Sequence, residues 1–201
     1  MTTSIDTILF RDLAKQDPKD VCRRALCEYD DGKKYYTLSV WGDDYVIYPH
    51  QFKIDRITTN FPSPHDYFHH FIIHYLLKSK EIEIYNEWIS EKDIPGGVTF
   101  FRGPHEIPSY LISRQYANDI NGFRKRCEQL HGISLDMADA AYSFKITTHI
   151  PVAVLYWKGD DDFSAESKIL YDSSITEHLT SDIIFALAVE ICTRIGNPLM
   201  G

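Results

Sequence analysis

Six consecutive residues, Val152-Ala153-Val154-Leu155-Tyr156-Trp157, contain no charged or amide side chain. The run is too short for an ordinary helix and is rich in β-branched and aromatic residues, the pattern of a strand buried on both faces. Such a strand needs neighbours on both edges and cover over its faces, so residues 152–157 are expected at the centre of a sheet with a helix packed over them. The chain then turns at Gly159 into Asp160-Asp161-Asp162 and returns through Lys168-Ile169-Leu170-Tyr171 to Asp172. On this reading carboxylates gather at one end of the central strand.

The neighbours of that strand are readable from period-two alternation. Tyr142, Phe144 and Ile146 alternate with Ser143, Lys145 and Thr147, a half-exposed strand leading into the central one. Tyr36, Leu38 and Val40 mark another, which Gly42-Asp43-Asp44 closes as a hairpin onto Tyr45-Val46-Ile47-Tyr48. Helical spacing dominates elsewhere. Asp17-Pro18 is a helix start, with Asp as N-cap and Pro where a missing N–H costs nothing. Residues 65–78 form the most apolar helix: Phe68, Phe71 and Tyr75 take one side, and Ile72, Ile73, Leu76 and Leu77 most of the rest. A helix over residues 118–131 is expected to stop at Gly132, and a last one follows a Thr180 cap, burying Ile183, Ile184, Leu187, Ala188, Ile191 and Ile195 before Gly196. Gly96-Gly97 marks backbone that bends sharply or approaches a neighbour closely, with no helix expected after it. Because the strands follow one another through short connections, the fold class is α+β: a mainly antiparallel sheet of about five or six strands on two principal helices, residues 65–78 and 181–195. With 201 residues, 44% of them apolar, and no linker, the chain reads as a single domain over residues 1–201.

Charge narrows the choice of partner. Asp and Glu outnumber Lys and Arg by 29 to 21, and the net charge of −8 argues against nucleic acid or an anionic membrane. No apolar segment approaches the roughly 18 residues that span a bilayer, and the opening residues lack the pattern of a secretion signal, so a cytoplasmic location is expected. Cys22, Cys27, Cys127 and Cys192 form no Cys-x-x-Cys pair and fit no common iron–sulfur spacing; they read as reduced core thiols.

Several uncommon blocks stand in order between about residues 20 and 190: His74-Tyr75-Leu76, Trp88-Ile89, Pro95-Gly96-Gly97, Phe101-Arg102, Asp139-Ala140-Ala141, Pro151 through Trp157, Asp161-Asp162-Phe163 and Leu170-Tyr171-Asp172-Ser173-Ser174. In these blocks the chain resembles a family of uncharacterised proteins from anaerobic bacteria and archaea, catalogued as domain of unknown function 3786. No activity comes with the resemblance. Some relatives carry an extra cysteine cluster like that of corrinoid iron–sulfur proteins, which implies a link to corrinoid or one-carbon chemistry; this chain lacks the cluster. It also has Tyr171 where the family usually reads Phe, and Ala138 where Gly is usual.

Two constellations could bear chemistry. On the central helix His65 and His69 form one i, i+4 pair, and His70 and His74 another; roughly 140° apart, they cannot make one four-histidine site. His74, flanked by Tyr67, Phe71 and Leu77, should be partly buried, either as a satisfied core histidine or as a ligand or acid–base group. Taken with the family blocks, His74, Tyr75, Trp88, Gly96, Gly97, Arg102 and Trp157 are the expected cofactor-binding set. His74, Arg102 and Trp157 would face one pocket between the central helix and the central strand, and a corrinoid or other tetrapyrrole there would take His74 as metal ligand. The second constellation, Asp160, Asp161, Asp162 and Asp172, is read three ways: oxygen ligands for Mg²⁺ or Ca²⁺, a solvated turn with Asp172 capping Ser173-Ser174, or recognition of a cationic ligand. No Gly-x-Ser-x-Gly elbow, phosphate-binding loop, dinucleotide fingerprint or His-Glu-x-x-His motif is present. The expected role is therefore a small-molecule or cofactor-binding accessory protein. A metal-dependent hydrolase using the aspartates, or a scaffold for protein partners, are the alternatives, and whether the chain is an enzyme stays open.

Overall fold

The computed structural model describes residues 7–58, 63–65 and 67–197. They form an α+β fold of eight α-helices and two antiparallel sheets. The first sheet is a meander of β1 (Glu28–Asp30), β2 (Tyr35–Val40), β3 (Asp43–Tyr48) and β4 (Lys53–Arg56), in that order. The second contains β5 (Trp88–Ile89), β6 (Ile133–Leu135), β7 (Ala140–Thr147), β8 (Ile150–Trp157) and β9 (Glu166–Asp172), arranged β5-β9-β8-β7-β6. The antiparallel pairing is as expected, but the strands are divided between two sheets. The two sheets meet at Trp41-Gly42, the two-residue turn between β2 and β3, with φ of 46° and 80° at its two residues. Trp41 tolerates the left-handed conformation because its surroundings hold it. Its N–H donates to the Ile146 carbonyl of β7 at 2.7 Å, its ring lies edge-on to Phe144, and Arg194 sits 4.6 Å above it.

The helices are α1 (Thr7–Lys15), α2 (Pro18–Ala25), α3 (Phe68–Lys78), α4 (Gly97–Phe100), α5 (Tyr110–Tyr116), α6 (Ile120–Gln129), α7 (Ile175–His178) and α8 (Ser181–Gly196). Asp17 caps α2 by accepting the Lys19 N–H at 3.2 Å. The turn closing α6 differs from expectation: His131, not Gly132, takes the left-handed conformation, with φ of 61°. Gly132 is needed for space instead, since a Cβ there would stand 2.8 Å from the Phe144 ring. Gly196 likewise lets α8 approach α5, where a Cβ would come within 2.7 Å of the Leu111 backbone.

β8 is the middle strand of its sheet, as its composition requires. Val152, Val154 and Tyr156 enter the main core beneath the helices, while Ala153 and Leu155 point the other way. Among the described residues no helix contributes to the cluster on that second face. Trp88, Leu135, Met137, Trp157 and Leu170, from the sheet and the turn after β6, close over the small side chains. On the helical side α3 buries Phe68, Phe71, Ile72, Ile73, Tyr75, Leu76 and Leu77, a gross apolar gain on the order of 10–20 kcal/mol at roughly 1.5–3 kcal/mol for each side chain. α3 and α8 lie antiparallel: Arg194, late in α8, sits over Phe68 at the start of α3, whereas Ile183, early in α8, shares a cavity with His74 near the end of α3.

Candidate functional site: a histidine-lined cavity

Polar groups are buried at both ends of the α3–α8 pair. Where α3 ends, His74 and Lys78 lie one turn apart, the chain leaves the helix through Ser79 to Lys80, and α7 brings His178 against the same place, just before α8 begins. These residues, with Thr176, Glu177, Leu179, Thr180 and Ile183, line a cavity of about 270 Å³. Its lining combines the buried Leu179 and Ile183 with the exposed Lys78 and Lys80, and the Glu177 carboxylate in it is held by Lys80 Nζ at 2.7 Å.

The local fold that delivers His178 is organised by Asp172. This carboxylate is 2% exposed, and its Oδ1 accepts the Tyr85 N–H at 2.9 Å, the Ser174 N–H at 3.0 Å and the Ser174 hydroxyl at 2.6 Å. Burial alone would raise its pKa, but the hydrogen bonds from Ser174, Tyr85 and Asn86 outweigh it and hold Asp172 below the ordinary carboxylate range. The turn thus fixed leads directly into α7.

His178 is 3% exposed, and its Nδ1 accepts the Lys80 N–H at 3.1 Å. That bond places the proton of the neutral ring on Nε2, a donor with no partner. The ring stacks on His149, in the turn between β7 and β8, at 5.5 Å between centroids and 16° between planes. His149 Nε2 in that turn, and Ser79 Oγ beside Lys80, are also buried and unpartnered. Buried polar atoms without partners are rare in folded proteins, because each costs about 1–3 kcal/mol. Here two of them belong to the stacked rings of His149 and His178, and Ser79 directly precedes Lys80. Burial, followed by the neighbouring His149 and Lys80, pushes the His178 pKa down to about 4. Burial also lowers that of His74, with Asp182 opposing. Both rings are neutral at pH 7. Thr180, expected to cap α8, occupies the N-cap position without a capping side-chain bond, and its carbonyl accepts the Ile183 and Ile184 N–H groups at 3.0 and 2.9 Å.

The opposite end of the pair is also charged, but its charges pair with one another, although the Tyr45 hydroxyl among them is likewise buried without a hydrogen bond. Asp43, fully buried, lies 3.1 Å from Arg56 and 3.6 Å from Arg194; Arg194 makes two bonds of 2.9 and 2.7 Å to Glu190 Oε1, and Glu190 Oε2 accepts the His65 N–H at 2.6 Å. Two carboxylates thus meet two guanidinium groups.

The expected common pocket does not form. His74 lines the cavity described, but Arg102 stands exposed on a separate cleft of about 410 Å³ with Glu91, Lys92, Glu106, Glu166 and Lys168. Trp157 and Trp88 lie on the outer face of the second sheet, because Trp157 alternates with the inward-facing Tyr156 and Val154. Tyr75, next to His74, points into the core, where its hydroxyl donates to the Ala25 carbonyl at 3.2 Å and burial pushes its pKa up to about 12. Gly96 and Gly97 do mark a tight place: Gly96 has φ of 75°, and a Cβ on Gly97 would be 1.9 Å from the Glu91 carbonyl oxygen. The single helical turn α4 follows them, where no helix was expected.

The four aspartates do not converge either. In the β8–β9 hairpin Trp157 pairs with Glu166 and Val152 with Tyr171, so Asp172 stands at the opposite end of β9 from the Asp160-Asp161-Asp162 loop, about 20 Å away at roughly 3.3 Å per residue. Asp160 Oδ1 instead accepts the N–H groups of Asp162 and Phe163 at 2.9 and 2.8 Å, closing a solvated turn. Among the described residues no group of three or more His, Cys, Asp or Glu side chains is placed to hold a metal ion. The residues that sequence reasoning missed are Lys78, Lys80, His149 and His178; the available signal was a histidine two positions before the Thr180 cap.

A match to the model of the family described as domain of unknown function (DUF3786) covers residues 17–194, and the chain belongs to that family. No curated protein matches it. No solved structure does either. Among the described residues no helix is long and apolar enough to cross a membrane.

Proposed function

We propose that this protein binds a small oxyanion, a carboxylate or phosphate-bearing metabolite, in the cavity between the end of α3 and the start of α8. The observation that carries this reading is the buried His178 Nε2–H, a donor with nothing to donate to, on a residue that lines the cavity. A ligand oxygen placed there removes the cost of an unpaired buried donor. Lys78, Lys80 and the His74 ring add positive or protonatable groups around the same space, and the positive end of the α8 dipole begins at Thr180 in its lining. In a chain of net charge −8, that local balance is selective for an anion.

The role is a narrower form of the small-molecule-binding accessory function. A volume of about 270 Å³ lies under the roughly 300–1,000 Å³ of drug-sized sites, and a tetrapyrrole does not fit within it, so His74 is assigned to an anion here and not to a corrinoid. The separated aspartates give a hydrolase no metal centre. Four unbridged cysteines suit a reducing compartment, and we place the protein in the cytoplasm.

Calorimetric titration with malonate, succinate and inorganic phosphate at pH 6.5 tests the reading. Saturable binding by at least one is expected, about tenfold weaker or worse in His178→Asn, which keeps an acceptor for the Lys80 N–H but removes the distal donor, and in Lys80→Met. Affinity should rise as pH falls towards 6, because bound negative charge favours protonated imidazole. No heat of binding up to about 10 mM of any of the three, or unchanged affinity in His178→Asn, would overturn it.

A further inference from the structure

Cys22 lies in the last turn of α2, and Cys27 stands just past its end. The residue between them that ends the helix, Leu26, is left-handed with φ of 51°. This turns the chain back on itself, so that the Cys27 N–H reaches the Cys22 carbonyl at 3.3 Å and the two sulfurs come to 3.8 Å. The expectation that all four cysteines are core thiols fails for this pair: Cys22 and Cys27 are half-buried, whereas Cys127 and Cys192 are fully enclosed. Cys27 also borders a surface cleft of about 350 Å³ shared with Glu28, Thr37 and Thr148, which gives a small reagent access.

We propose that Cys22 and Cys27 form a redox-active dithiol that closes to an intramolecular disulfide, with a low-molecular-weight disulfide as oxidant. The Cys22 thiol gives its proton to solvent and attacks one sulfur of the reagent, forming a mixed disulfide and releasing the first small thiolate. Cys27 then loses its proton and attacks Cys22 Sγ, breaking the mixed bond and releasing the second. The protein gives up two hydrogens, and the reagent is reduced to two thiols. The sulfurs must close from 3.8 Å to bonding distance, roughly 2.05 Å, which rotation of two half-buried side chains at a helix end can supply. Burial raises the pKa of both thiols, so the thiolate fraction at neutral pH is small and closure should speed up about tenfold for each pH unit on the alkaline side of neutrality. Closure clamps the end of α2, whose Ala25 carbonyl already holds Tyr75 of α3.

The experiment treats the native chain with oxidised glutathione, then alkylates under denaturing conditions and digests with trypsin. Because Arg23 and Arg24 lie between the two cysteines, cleavage there separates them unless they are bridged. The expected product is a linked pair of peptides bearing Cys22 and Cys27, with Cys127 and Cys192 alkylated and the native circular dichroism spectrum retained. Cys27→Ser should stop at the mixed disulfide on Cys22. Alkylation of all four cysteines, a mixed disulfide that persists in the wild type, a link to Cys127 or Cys192, or closure only with loss of the native spectrum would each overturn the proposal.

Discussion

The two ends of the α3–α8 pair bury polar groups in opposite ways. At the Arg194 end, Asp43 and Glu190 meet Arg56 and Arg194 within contact distance, and the charges cancel. At the His178 end, two imidazoles and two lysines line a cavity, the His178 Nε2–H has no partner, and the Glu177 carboxylate is already committed to Lys80. A buried ion network holds the first sheet and α8 in register, since removing any member strands its partner. Unsatisfied donors around a space make the arrangement complete only when something else enters. On this reading the first end is structure, and the second is the proposed site.

The largest effect that would separate the two is Arg194→Met. It leaves Asp43 and Glu190 buried without their shared cation and removes the group over Trp41. A loss of about 3–5 kcal/mol is expected, read as a fall in melting temperature on the order of 10 °C. A loss under about 1 kcal/mol would make the network dispensable.

Next in size is the pH dependence contributed by His178. Its folded pKa of about 4 lies below the ordinary value, so the unfolded chain takes up the proton first. Stability is then full above about pH 6.5 and declines as pH falls through about 4, by about 3 kcal/mol in all. The groups facing the ring are His149, Lys80, Glu177 and Asp172. Urea unfolding across this range should show the slope in wild type and lose most of it in His178→Asn, and a saturating anion should flatten it by stabilising the protonated ring. An unchanged slope in the variant would assign the titration elsewhere.

The smallest effect is the most discriminating. At pH 7.5, His178→Asn should shift stability by no more than about 1 kcal/mol, because the ring makes one hydrogen bond and leaves a donor unpaired. Lys80→Met should do no more, since its exposed pair with Glu177 contributes about 0–1 kcal/mol. Anion affinity should fall in both. A large stability loss without a binding change would make this end structural too.

Much of the fold was legible in the sequence. The apolar run of β8 and the periodic apolar faces of α3 and α8 are long enough for periodicity to decide them, and each was placed correctly. The edge strands β1, β4, β5 and β6 have four residues or fewer, too short for alternation to register. The site was less legible because it depends on which face of an element meets which neighbour. Alternation separates Trp157 from Tyr156, but nothing local says that α3 lies on the Tyr156 side. Asp43 reads as a turn acid and is buried only because Arg194, distant in sequence, reaches it. His178 reads as a loop residue and is buried only because the β7–β8 turn carries His149 against it. The Asp160-Asp161-Asp162 and Asp172 carboxylates looked adjacent because the chain folds back between them, whereas strand register sets them at opposite ends of β9.

The most direct test is nuclear magnetic resonance of the nine histidine side chains while malonate or inorganic phosphate is titrated in at pH 6.5. Saturable shifts of the His178 and His74 ring signals, with the exposed His50 and His131 signals unmoved, are the predicted result. Shifts spread evenly over the exposed histidines, or no saturable change at His178 up to about 10 mM, would contradict the assignment of this cavity as the binding site.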